Sequence, residues 1–99
     1  MLKSAQRGHS LDRELAETIA AQGLAFLTAD PHHLQRFLAL TGIAPGDLKR
    51  RIGTGEVLVA VLNFLAQDES LLLTFAASHR LAPETIGAAL ARLDAADGT

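Results

Sequence analysis

The sequence predicts an all-α domain, a compact bundle of five to six short helices built as two tandem, pseudo-equivalent three-helix units. Three observations lead there. Apolar residues recur at the i, i+3, i+4, i+7 spacing of a helix face, and the only β-branched cluster is Val57-Leu58-Val59-Ala60-Val61. Asp-Pro, Thr-Gly and Ala-Pro steps punctuate the chain at helix-length intervals. Finally, the chain matches itself when shifted by 38 residues.

The elements follow from these signals. Met1 to His9 reads as a flexible N-terminal tail, and residues 10–95 as a single helical domain. Ser10 is the expected N-cap of the first helix, with Asp12, Glu14 and Glu17 placing negative charge near its positive end. Leu11, Leu15, Ile19, Leu24 and Leu27 form its apolar stripe, through about Thr28. Asp30-Pro31 restarts the chain with a cap and a proline at the first helical position. The second helix, to about Leu40, carries Leu34, Phe37 and Leu38. Gly42 suits the left-handed position that ends it. Pro45 opens a short third helix bearing Leu48 and Ile52, and Gly53-Thr54-Gly55 closes it. Thr54 caps a fourth helix, about Glu56 to Gln67. A short strand at residues 57–61 is the alternative, but Leu58, Val61, Leu62 and Leu65 continue a helical pattern and a lone strand has no partner. Asp68 caps a fifth helix, about Glu69 to His79, and Pro83 opens a sixth that ends near Ala95.

The self-match aligns residues 24–52 with 62–90 without a gap, and nine of the 29 positions are identical. All four Phe residues fall in matched pairs, Phe26 with Phe64 and Phe37 with Phe75. Asp30 matches Asp68 and Ala44-Pro45 matches Ala82-Pro83. Matching caps and aromatics at one offset is what two copies of one three-helix unit produce. Each copy has too small a core to stand alone, so the two are expected to bury their apolar faces against each other.

Composition excludes several classes. At 99 residues the chain holds one domain. It has no Cys, which removes disulfide scaffolds, thiolate metal sites and cysteine nucleophiles. Leu and Ala, 18 of each, supply most of the 48% hydrophobic content, and the net charge is only −2, so disorder is not expected. The apolar run Val57 to Ala66 is interrupted by Asn63 and is about half the roughly 20 residues that span a bilayer. Residues 1–10 are polar, so no signal peptide is expected and a cytoplasmic location is the default.

The runs Leu24-Ala-Phe-Leu-x-x-Asp30-Pro31, Leu34-x-x-Phe37-Leu38-Ala39-Leu40-Thr41-Gly42 and Val61-Leu62-x-Phe64-Leu65-x-x-Asp68-Glu69 form a pattern. It resembles a family of small alphaproteobacterial proteins, domain-of-unknown-function family 3572, over about residues 12–92. The resemblance implies a small cytoplasmic bacterial protein without an assigned activity, and it supplies no catalytic residues. One departure stands out: His79-Arg80 occupies the second turn, where the first has Thr41-Gly42.

Chemistry-bearing motifs are sparse. No Gly-rich phosphate loop, nucleophile elbow or carboxylate pair free of a capping role is present. An enzyme, a metal site or a cofactor is therefore not expected. His32 and His33 point about 100° apart on a helix and cannot share an ion well. Two readings remain. The leading one is a non-enzymatic protein-interaction or regulatory module, acting on an unknown protein partner or on itself as a homodimer. Its contact residues are Leu71 and Leu73, because Leu71-Leu72-Leu73 covers more of a helix turn than the domain's own core can bury. The alternative is a weak nucleic-acid-binding module through a helix-turn-helix-like segment at 34–52, using Arg36, Lys49, Arg50 and Arg51. Residues 1–52 carry seven basic and five acidic groups, whereas 53–99 carry two and six. Against this reading, no Asn, Gln, Ser or Thr lies between Gly46 and Ile52 to read bases.

Overall fold

Side-chain caps and left-handed turns cut the described residues into six helices, and their burial patterns stack them around one core. The structure is a computed structural model that describes residues 11–98. The helices are α1 (Arg13–Thr28), α2 (Pro31–Thr41), α3 (Pro45–Arg51), α4 (Gly55–Ala66), α5 (Glu69–Ser78) and α6 (Pro83–Gly98). Among the described residues there is no strand, and residues 57–61 lie within α4.

Each expected cap except the first is where the sequence puts it. Asp30 accepts the backbone N–H of His32 at 2.9 Å, and Asp68 that of Leu71 at 3.1 Å. Thr54 accepts from Val57 at 3.3 Å. Such caps satisfy N–H groups that the helix leaves unpaired, each contributing about 1 kcal/mol. Asp12 caps α1, accepting from Leu15 at 2.8 Å. Ser10, the expected cap, and the expected tail at 1–9 lie outside the described residues.

The two second helices end on residues 38 apart in sequence. Gly42 has φ +75° and its N–H donates to the Leu38 carbonyl at 2.9 Å. Arg80 has φ +55°, with Arg80 N–H on the Ala77 carbonyl and Leu81 N–H on that of Ala76 at 2.8 Å. That double bond is the Schellman arrangement. The first turn closes with the single bond of the simpler left-handed motif and the second with the Schellman pair, yet both place a left-handed residue at the same position, an arginine standing where the first has glycine.

Helices α1, α4 and α6 pack on one another and form the centre. Helix α2 lies against α1 and α4, α5 against α4 and α6, and α3 against α4. Val57, Val61, Leu62 and Leu65 of α4 are fully buried, as are Ile86 and Ala89 of α6. The inward face of α1 differs from expectation. It is Ala16, Ile19, Ala20, Gly23, Leu24 and Leu27, while Leu15 is 47% exposed. Small residues carry this face because α1 approaches α4 closely. A Cβ added at Gly23 would sit 3.0 Å from Leu65 Cδ1 and 3.1 Å from Val61 Cγ1.

Phe37 and Phe75 are fully buried, as are Leu27 and Leu65. Matched positions are not all core, however. Ala39, Ala77, Ala44 and Ala82 are exposed. Ala44 is held extended at ψ 142° before Pro45, a backbone constraint that owes nothing to burial. Among the described residues no single helix is long and apolar enough to cross a membrane.

Candidate partner-contact surface

Leu71 and Leu73 part company in the folded chain. Helix α5 packs on α4 and α6 with Leu71, Phe75 and Ala76 buried on that side. Leu71, only 6% exposed, is a core residue, which corrects its expected role as a contact. Leu73 lies across the helix and is 46% exposed, and Leu72 is half-buried.

The basic residues do not converge. Arg36 leans over the Phe64 ring, 5.5 Å from its centroid, and reaches Asp68 at 3.7 Å. Both partners lie at the C-terminal end of α4. Arg51 pairs at 2.7 Å with Glu56, at the opposite end of that helix. Twelve residues separate Glu56 from Asp68, which corresponds to about 18 Å along a helix. Arg50 pairs with Asp47 on its own turn. Three of the four cations proposed for phosphate contact therefore already face carboxylates. Helix α3, which would be the recognition helix, has seven residues and no buried side chain, and its main support is α4. These placements weaken the helix-turn-helix reading.

The histidines are drawn to phenylalanine rings. His33 stacks on Phe26 at 6.3 Å, and its Nδ1 faces Asp30 at 3.5 Å. His79 packs on Phe75 at 4.6 Å. Among the described residues no three His or carboxylate groups gather as metal ligands would.

A concave feature does form, from residues the sequence reading passed over. The C-terminal turn of α2 and the outer face of α4 enclose an open notch of about 370 Å³. Leu40 and Thr41 line one side, and Ala60, Asn63, Phe64 and Gln67 the other. Leu40 lies off the Leu34-Phe37-Leu38 stripe and is 68% exposed, the most exposed large apolar side chain described. The Thr41 hydroxyl is occupied by the Phe37 carbonyl, at 2.9 Å, and by the Ile43 N–H. Asn63 and Gln67, one turn apart, are both exposed and make no side-chain hydrogen bond within the described residues. The notch thus has an apolar floor and two open amides on its rim. One signal in the sequence pointed to it: Asn63 is the polar residue that interrupts the apolar run of α4.

Comparison with curated proteins and with solved structures gave no match. A family model does match, over residues 13–96, nearly the whole described domain. The chain belongs to the family described as protein of unknown function DUF3572.

Proposed function

We propose that this domain is a non-enzymatic protein-interaction or regulatory module that receives an apolar side chain of a partner protein in the notch between α2 and α4. The observation that carries this reading is Leu40, 68% exposed beside a concavity floored by Ala60 and Phe64. A single exposed leucine on a convex surface is ordinary. A leucine on the lip of a hollow lined by both apolar and hydrogen-bonding groups has the make-up of an interface centre. Asn63 and Gln67 supply donors and acceptors for a partner's backbone. The exposed Leu73 on α5 is the second place at which a partner is offered apolar surface.

The test is capture of binding proteins from native lysate on the tagged full chain, after nuclease treatment. Wild type is compared with Leu40→Glu and Leu73→Glu. The expected result is a partner that survives nuclease and is lost with Leu40→Glu alone. Loss with Leu73→Glu alone moves the contact to α5. Recovery that depends on nucleic acid and disappears at moderate salt overturns the reading in favour of Arg36 and the Lys49–Arg51 cluster.

A further inference from the structure

The segments 24–52 and 62–90 share more than residues. Asp30 and Asp68 cap their helices with nearly the same backbone, φ −121° and −125°. Gly42 and Arg80 are both left-handed, and Pro45 and Pro83 both open the next helix.

The aromatic pairs say how the segments are related. Phe26 packs on Phe75 at 5.3 Å, and Phe37 on Phe64 at 5.5 Å. Both pairs run between segments. Exchanging the segments turns residue 26 into 64 and 75 into 37, so each pair becomes the other. Stacking by translation, as in a solenoid, would not make these contacts reciprocal. A close approach of α1 to α4 at Gly23 shows where the axis runs. Gly23 faces Val61, which is 38 residues on and therefore its own counterpart. A residue meeting its own equivalent is the mark of a two-fold axis. Around that point Gly23 also faces Leu65 and Phe75. Their counterparts, Leu27 and Phe37, are the same residue types and are equally buried.

We propose that the domain is a duplicated three-helix unit folded as an internal two-fold dimer, its axis passing between Gly23 and Val61. Two of the differences between the copies change their shape. The third helix is short in the first copy and long in the second, and only the long one, α6, packs on both α1 and α4. The other divergence is the notch. Leu40, Asn63 and Gln67 have Ser78, Ala25 and Ala29 as counterparts. On the partner-binding reading proposed above, that surface is one-sided in an otherwise repeated frame.

The test exploits the axis. Gly23→Val and Val61→Gly are made singly and together in the full chain, and urea midpoints are measured. Each single change is expected to lower the midpoint, the first by crowding and the second by a void. In the double variant the pair is merely turned about the axis, among like neighbours, and at least half of the summed loss should return. A second arm replaces residues 24–44 with the sequence of 62–82, and separately the reverse. At least one graft is expected to keep a single cooperative urea transition. Additive losses at the axis, or loss of that transition in both grafts, overturn the proposal.

Discussion

Arg80 is the residue most plainly out of place. At φ +55° its Cβ crowds the following carbonyl, a cost that glycine does not carry. The turn is kept because the Ala76 and Ala77 carbonyls gain partners there. Replacing Arg80 with Gly should raise stability by about 0.5–1 kcal/mol, after the extra chain entropy of glycine is subtracted. At the matching turn, Gly42→Ala should lower it by about 1 kcal/mol. Urea unfolding followed by helical circular dichroism measures both. Opposite signs at two turns that share a left-handed residue would show that backbone conformation, rather than contact, sets the energy.

Two helical glycines show how an element's surroundings decide what a side chain costs. Gly87 lies in α6 with nothing within 4 Å of an added Cβ. Gly87→Ala should stabilise by roughly 0.5–1 kcal/mol, the difference in helix propensity. Gly23 has the same intrinsic handicap in α1, but it faces Val61 and Leu65, both fully buried and within 3.1 Å of an added Cβ. Gly23→Val should destabilise by about 1–3 kcal/mol through overpacking. Thermal unfolding of the two variants side by side separates propensity from packing.

For the whole molecule, stability rests on a few large side chains shared between helices. Phe75 is fully buried, pairs with Phe26 and lies 3.8 Å from the position of a Gly23 Cβ. Phe75→Ala should cost about 3–5 kcal/mol, a large part of the roughly 5–15 kcal/mol that holds a small domain folded. Leu73, two residues earlier on the same helix, is 46% exposed. Leu73→Ala should change stability by less than about 0.5 kcal/mol. Chemical denaturation of both variants tests whether exposure and burial alternate on α5 as described. A Leu73 variant as damaging as the Phe75 variant would contradict the orientation of that helix.

Local rules made much of this protein legible without coordinates. Asp30, Thr54 and Asp68 cap because a short polar side chain before a helix meets unpaired N–H groups wherever the helix sits. Gly42 turns left-handed and Pro45 starts a helix for equally local reasons. Phe37, Phe64 and Phe75 and the apolar period of α4 marked the core in the same way. What the tertiary structure alone decided was which of several apolar residues faces a neighbour. Leu71 went inside and Leu73 outside because α5 packs on α4 and α6 from one side only. Leu15 gave way to Ala16 and Gly23 because the spacing between α1 and α4 rewards small side chains. Arg36 met Asp68 and Phe64 across helices far apart in sequence. The notch, likewise, belongs to no single element. It exists because the end of α2 and the outer face of α4 meet at an angle, which depends on long-range packing and not on local sequence.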